Sequence, residues 1–259
     1  MILQNRFQDQ VFFAVARIVI PGESQNTASI GTGFLVSIKK NDKESYIVLV
    51  SNKHVFSDTL RDVNLVLHEK NEDGTPKLTS HKAITFTNYS SLYFTPSDTD
   101  LDLAALNITP ALLDGSVYYK QLEMEMFATF SETDLIPGGD VWFVGYPENR
   151  FDTLNNMPLM RRGYIASVPN LNFNGKSQFV IDAQVFPGSS GSPVFGTASG
   201  QFKFLGVVTQ TMIRNNLLQI QQASISPTVQ ETLGLGIVIK STDVKSFLEE
   251  IKIKLIGSN

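Results

Sequence analysis

Short apolar segments alternate with polar, turn-rich segments along most of the chain. The apolar segments are rich in β-branched and aromatic residues, and Gly, Asn, Asp, Ser and Pro separate them. This pattern is typical of β-strands joined by turns. It predicts strands at residues 11–20, 31–38, 46–51, 63–68, 83–87, 101–108, 140–147, 162–168, 177–185, 193–195, 202–209 and 234–240.

The end of the chain has a helical pattern instead. Its apolar residues are spaced so that they share one face of an amphipathic helix. They are Val244, Phe247, Leu248, Ile251 and Leu255. We predict a helix over residues 242–255, with Ser241 or Thr242 as its N-cap.

Two polar segments predict connections in the second half of the chain. Asn174-Gly175 is a strong hairpin signal between the strands at 162–168 and 177–185. Residues 210–230 are rich in Gln and Asn, so we expect a surface excursion there, with a short helix starting at Ser226-Pro227. Residues 109–135 are less regular and are the best candidate for a connection between two units.

Many short strands with one terminal helix indicate an all-β protein built of barrels or sandwiches. The chain has 259 residues, of which 42% are hydrophobic and 18% charged, so it can bury a sizeable core. The net charge of −4 and the lack of a basic run argue against a nucleic-acid partner. Cysteine is absent, which excludes disulfides and thiol catalysis. No segment has the pattern of a membrane span or a signal peptide, so we expect a cytoplasmic protein.

The segment at 187–194, Pro-Gly-Ser-Ser-Gly-Ser-Pro-Val, is the main candidate for chemistry. Gly188 and Gly191 allow a sharp turn around Ser190, because glycine adopts dihedral angles that a Cβ forbids. Such a turn can expose one hydroxyl and leave backbone N–H groups unpaired, which an acyl-transfer nucleophile requires. The same composition is also that of an ordinary flexible turn.

A serine nucleophile requires a base, and the chain has three histidines. His54 ends an apolar strand, where its side chain can be held rigidly and still reach a cleft. His68 and His81 lie in polar sequence and are expected to be exposed, with a structural role.

The base requires an orienting carboxylate. Asp98, Asp100 and Asp102 precede the apolar residues 103–106, and in an extended chain all three would lie on one face. Asp102 is deepest in the apolar run, where a carboxylate is costly unless it is paired, so it is favoured.

At this point the chain resembles the chymotrypsin/trypsin-like serine proteases, most closely the bacterial HtrA (Deg-type) branch. Matching segments occur in order at residues 31–36, 51–55, 102–106, 181–193 and 205–209, and the resemblance covers about residues 8–255. It implies one protease domain over residues 1–259, made of two packed six-stranded antiparallel β-barrels and a C-terminal helix. The barrels would span about residues 8–110 and 136–240, joined by a connection at about 111–135.

The resemblance also implies a mechanism in which Ser190 attacks a peptide carbonyl, His54 transfers the proton and Asp102 orients His54. The N–H groups of Gly188 and Ser190, with that of Ser189 between them, would form the oxyanion hole. No cofactor and no metal are implied. The expected partner is a protein or peptide substrate, with no nucleic-acid or membrane partner.

Several positions depart from the family pattern. Ser189 replaces the aspartate that pairs with a new N-terminus in trypsin-type zymogens, and Ser192 replaces a second glycine. In the family, a carboxylate at the position of Gln184 selects basic substrate side chains. Gln184 is not a carboxylate, so a preference for Arg or Lys is not expected. The remaining residues predicted to bind substrate are Val185, Phe186, Thr209, Gln210 and Thr211.

The leading hypothesis is therefore a serine endopeptidase that works through an acyl-enzyme, either active by itself or latent until a substrate or partner binds. Regulation is expected from loops, from oligomerisation or from a protein partner acting in trans. The alternative is a catalytically silent protease fold that serves as a peptide-binding or scaffold protein, because a fold does not determine a function.

Overall fold

The computed structural model describes residues 6–22, 28–56, 61–217 and 228–257. Strands dominate this part of the chain, with a short helix α1 (Phe7–Gln10) at its start and a longer helix α2 (Ser241–Gly257) at its end. The strands are β1 (Val15–Pro21), β2 (Ala28–Lys39), β3 (Ser45–Ser51), β4 (Val63–Lys70), β5 (Pro76–Phe86), β6 (Tyr93–Phe94), β7 (Ala104–Asn107), β8 (Val117–Tyr118), β9 (Asp140–Gly145), β10 (Leu159–Ile165), β11 (Gln178–Asp182), β12 (Pro193–Ala198), β13 (Gln201–Leu217) and β14 (Thr228–Lys240).

The second half of the chain forms a closed barrel of six strands in the order β10-β11-β14-β13-β12-β9. All of its ladders are antiparallel. Its inward-facing residues are almost entirely apolar and form one buried cluster. The prediction of an all-β protein with a six-stranded antiparallel barrel and a C-terminal helix is therefore confirmed.

The first half forms an eight-stranded sheet in the order β5-β4-β1-β2-β3-β7-β6, with β8 paired to β4. The six strands predicted for this half are two too few. The two-residue strands β6 and β8 account for the difference, and they are too short to give a periodic signal in the sequence.

Two predicted strands begin later than the sequence pattern suggested. Residues 11–14 form a tight 3-10 turn, and β1 begins only at Val15, where pairing with Phe34 of β2 begins. Similarly, β7 begins at Ala104, which pairs with Ser51 of β3. An apolar run fits a buried turn as well as a strand, so the available partner strand determines where the strand begins.

Residues 210–217 continue β13, and β14 begins at Thr228, so the predicted surface excursion is instead a two-stranded ribbon. Both faces of such a ribbon can be solvated, which allows polar residues at every position. The predicted short helix at Ser226-Pro227 lies outside the described residues.

The Asn174-Gly175 turn forms, with φ of 51° and 78° at its two residues. However, β10 ends at Ile165 and β11 begins at Gln178, so the turn lies within a longer loop and does not close the hairpin directly.

The segment between the two halves is hydrogen-bonded to both. Leu122 N donates to Leu35 O of β2 at 2.8 Å, and Ala128 N donates to Phe204 O of β13 at 2.9 Å. The Ser241 hydroxyl donates to Ala128 O at 2.7 Å, which ties the start of α2 to this connection.

The apolar face of α2 is buried as predicted, through Val244, Phe247, Leu248 and Ile251. Among the described residues, no helix combines the length and apolar character needed to cross a bilayer.

Candidate active site

His54 lies in a 3-10 turn, Lys53–Phe56, that directly follows β3. The buried Asn52 positions this turn, because its side-chain amide donates to the Asp102 carbonyl at 2.8 Å. Asp102 lies just before β7, the neighbour of β3 in the sheet. The two residues, far apart in sequence, therefore meet at the edge of the sheet where β3 ends and β7 begins.

The His54 imidazole and the Asp102 carboxylate form a two-point contact. His54 Nδ1 lies 2.7 Å from Asp102 Oδ2, and the His54 backbone N–H donates to Oδ1 at 3.1 Å. A carboxylate at Nδ1 favours the tautomer with its proton on Nδ1, which leaves Nε2 as a proton acceptor. Asp98 and Asp100 are exposed and make no contact of this kind among the described residues.

Thr209 completes the environment of this carboxylate. Its hydroxyl donates to Asp102 Oδ2 at 2.7 Å, and the residue is 3% exposed. Burial alone would raise the pKa of Asp102, but the hydrogen bonds from His54 and Thr209 outweigh that effect and hold the pKa below its ordinary value. Thr209 is predicted to line the substrate pocket; in the structure its hydroxyl also orients the carboxylate. The only signal in the sequence is one polar residue at the end of an apolar strand.

The Ser190 hydroxyl is directed at the Thr209 carbonyl, to which it donates at 3.4 Å. In the described part of the chain it makes no hydrogen bond to His54. The three predicted residues are thus gathered at one site, with the His54–Asp102 contact formed and the Ser190–His54 contact open. A bond of 3.4 Å is weak, so little opposes rotation of the hydroxyl about χ1.

The loop around Ser190 is a sharp turn, and both of its glycines have φ of 85°. The Pro187 carbonyl accepts a hydrogen bond from Glu148 N at 2.6 Å. Because C=O and N–H of one trans peptide point in opposite directions, the Gly188 N–H points away from Glu148. Neither Gly188 N nor Ser190 N has an acceptor among the described residues, so both are available as donors.

Ser189 differs from its neighbours. Its N–H donates to Phe186 O at 2.9 Å, which closes the turn. The prediction that the Ser189 N–H also belongs to the oxyanion hole is therefore wrong, because this donor is already used.

Thr32 of β2 makes two hydrogen bonds to the Ser190 loop, and two more fix its own position. Its N–H donates to Ser190 O at 3.0 Å, and its hydroxyl donates to Gly188 O at 2.8 Å. The same hydroxyl accepts from Tyr146 N at 3.1 Å, and the Thr32 carbonyl accepts from the Ser51 hydroxyl at 2.6 Å. Thr32 is fully buried. In the sequence Thr32 is one polar residue of the predicted strand at 31–38, and its role was not predictable from that pattern.

The other predicted pocket residues lie around the same loop. Gln184 is exposed, Val185 is buried and Phe186 is half-buried. Gln210 and Thr211 lie in β13, paired with Ile237 and Gly236 of β14. Within the described part of the chain, no three His, Asp or Glu side chains converge as metal ligands.

His68 is 4% exposed, so the expectation that it lies at the surface is wrong, whereas His81 is exposed. The His68 ring packs edge-on against Phe13, with ring centres 5.1 Å apart, and His68 Nε2 lies 2.7 Å from Asn155 O. The loop that carries Asn155 covers this side chain, and no local pattern in the sequence predicts that contact.

A model of the trypsin-like peptidase domain matches residues 31–207. The chain belongs to the trypsin-like peptidase domain family. None of the curated proteins shows significant sequence similarity to the chain.

Two solved proteases have a similar structure. The tobacco vein mottling virus protease matches with a TM-score of 0.50 and 12% identity, over 93% of this chain and 82% of that chain. The Rv3671c protease from M. tuberculosis, in its active form, matches with a TM-score of 0.47 and 18% identity, over 92% of this chain and 81% of that chain. At 12% identity, the similarity to the tobacco vein mottling virus protease establishes only the fold, which is chymotrypsin-like.

Proposed function

We propose that this trypsin-like domain is a serine endopeptidase that cleaves peptide bonds through an acyl-enzyme on Ser190. The observation that carries this proposal is the contact of His54 Nδ1 with Asp102 Oδ2 at 2.7 Å, at the same site as the Ser190 turn with two free N–H donors. Base, orienting group, nucleophile and oxyanion donors are the parts that acyl transfer requires.

The reaction begins with rotation of the Ser190 hydroxyl from the Thr209 carbonyl towards His54 Nε2. Ser190 Oγ then attacks the carbonyl carbon of the substrate while Nε2 takes the hydroxyl proton. Asp102 stabilises the resulting imidazolium, and the N–H groups of Gly188 and Ser190 stabilise the oxyanion. The imidazolium returns the proton to the leaving amine, and water hydrolyses the acyl-enzyme by the same sequence of steps.

The Ser190–Thr209 hydrogen bond is 3.4 Å long and therefore weak, so it opposes release of the hydroxyl only slightly. The two free oxyanion donors support an enzyme that needs no activating partner. Wild type that reacts with a fluorophosphonate only when a protein partner is added in trans would contradict this part of the proposal.

We also propose that the chain falls within the HtrA branch of its family. Ser189 supports this assignment, since a serine offers no charge to pair with a new N-terminus after zymogen cleavage. The residue is 1% exposed, and its hydroxyl has no hydrogen-bond partner among the described residues.

The test is labelling of the folded protein with a fluorophosphonate, read by intact mass. The wild type is expected to gain one adduct and Ser190→Ala none. Ser192→Ala is the matched control: Ser192 is a buried serine of the same loop, and we expect its variant to label like the wild type. Folded wild type that gains no adduct would contradict the proposal and favour the silent, peptide-binding alternative.

A further inference from the structure

Arg161 is an inward-facing residue near the start of β10. Along this strand, Gly163 and Ile165 are buried, whereas Arg162 and Tyr164 are exposed. Arg161 pairs with Phe143 of β9, and directly opposite residues of two strands share a face of the sheet. Phe143 is 1% exposed, so the Arg161 side chain enters the closed barrel from its end.

The guanidinium lies close to two aromatic rings. Its central carbon is 5.5 Å from the ring centre of Phe143 and 4.9 Å from that of Phe186. Phe186 precedes Gly188 by two residues, so the guanidinium lies beside the loop that carries the proposed oxyanion donors and Ser190.

The Arg161 guanidinium is partly buried and has no ion-pair partner among the described residues. Its Nη1 is buried and has no hydrogen-bond partner, and no carboxylate of the described residues forms an ion pair with it. Burial lowers the pKa of Arg161, which reflects the same desolvation. The neighbouring Arg162 contrasts with it, because Arg162 binds Asp140 through Nε at 2.9 Å and Nη2 at 2.7 Å.

We propose that Arg161 is a specificity-determining residue that binds the carboxylate of an aspartate or glutamate side chain directly before the cleaved bond. This inference rests on the proposed endopeptidase function. A guanidinium presents a fork of N–H donors that matches a carboxylate, and a substrate carboxylate would supply the acceptor that Nη1 lacks. Gln184, at the pocket position, carries no charge that would repel or replace that carboxylate.

The structure predicts strong discrimination between glutamate and glutamine at this substrate position. The two side chains have the same size, but only glutamate neutralises the guanidinium. A site built to bind one polar group rejects an analogue that leaves its own donors unpaired. We expect kcat/KM for a glutamate peptide to exceed that for the matched glutamine peptide by about 100-fold or more, with lysine slower still.

The experiment compares three fluorogenic peptides that differ only in Glu, Gln or Lys before the cleaved bond. Wild type is measured first, because that result requires no variant to fold. Arg161→Gln is then expected to reduce the Glu/Gln ratio to about 1. Arg162→Gln is the matched control: it removes a neighbouring, outward-facing arginine and is expected to keep the wild-type ratio.

Fluorophosphonate labelling of Ser190 in the same samples separates the two proposals. Labelled wild type that cleaves the Gln or Lys peptide as fast as the Glu peptide would overturn the role of Arg161 and leave the endopeptidase proposal intact. A folded Arg161→Gln variant that keeps the wild-type ratio would do the same. Wild type that neither labels nor cleaves any peptide would overturn both.

Discussion

Replacement of Thr32 by valine removes one hydroxyl from the contact between the first sheet and the Ser190 loop. Valine has nearly the same shape as threonine and keeps the backbone hydrogen bonds of residue 32. Two partners lose their hydrogen bond: the Gly188 carbonyl, now 2.8 Å from the hydroxyl, and the Tyr146 N–H, now 3.1 Å from it. Thr32 is fully buried, so water cannot easily replace the lost group.

The expected cost follows from the two unpaired groups. A buried polar group left without a partner costs about 1–3 kcal/mol. We therefore expect the free energy of unfolding to fall by at least about 2 kcal/mol, which a typical domain with about 5–15 kcal/mol survives. Because Gly188 carries one of the two proposed oxyanion donors, its displacement should lower kcat by about 10²–10³-fold.

The assay measures kcat and KM of each folded variant with one peptide substrate, together with its urea denaturation. Thr32→Val should lose kcat with little change in KM, because the hydrogen bonds of the Thr32 hydroxyl within the described residues go to Gly188 and Tyr146, not to a predicted pocket residue. Thr32→Ser keeps the hydroxyl and should retain most of kcat. Thr197→Val, an exposed strand threonine, is the control and should match the wild type in both measurements.

Folded Thr32→Val that keeps the kcat of the wild type would refute this role of the Thr32 hydroxyl. A loss in Thr32→Ser as large as that in Thr32→Val would also refute it, because the hydroxyl would then not be the group that positions the loop.

Three further outcomes are expected. Asp102→Asn should lower kcat by about 10⁴-fold while Asp100→Asn leaves it unchanged, measured by peptide cleavage; the reverse order would move the orienting carboxylate two residues upstream. Burial lowers the pKa of His68 in the folded protein. As pH falls below about 6.5, the His68 side chain is therefore protonated more readily in the unfolded chain than in the folded one, which favours unfolding. The Tm of the wild type should therefore decrease more between pH 7.5 and 5.5 than that of His68→Gln; an equal decrease in both proteins would contradict the burial argument. Gly191→Ala should fail to fold or lose all activity, because its Cβ would collide with the backbone oxygen of Thr32 and its φ is 85°. A folded, active variant, judged by circular dichroism and cleavage, would be inconsistent with this structure.

The residues with local sequence signals were predictable. Ser190 lies between glycines, His54 ends an apolar run and Asp102 begins another, so each could be singled out from its neighbours. The structure brings these three to one site. The strand pattern likewise indicated an all-β protein of barrels or sandwiches, whereas the six-stranded barrels were implied only by the resemblance to the protease family.

The residues that act through long-range contacts were not predictable. Thr32 and Thr209 look like ordinary strand threonines in the sequence, and their partners, Gly188 and Asp102, are more than 100 residues away in the chain. The burial of His68 depends in the same way on the loop at Asn155. Periodicity indicates which face of a strand is buried, but it does not identify the distant polar group that hydrogen-bonds to a residue on that face.

The most direct test of the central claim is to trap the acyl-enzyme itself. The wild type is mixed with an activated ester, quenched in acid during turnover, and analysed by intact mass and peptide mapping. We predict a single acyl adduct on Ser190, absent in His54→Ala quenched at the same time. An adduct on another residue, or none while the ester is consumed, would contradict the claim.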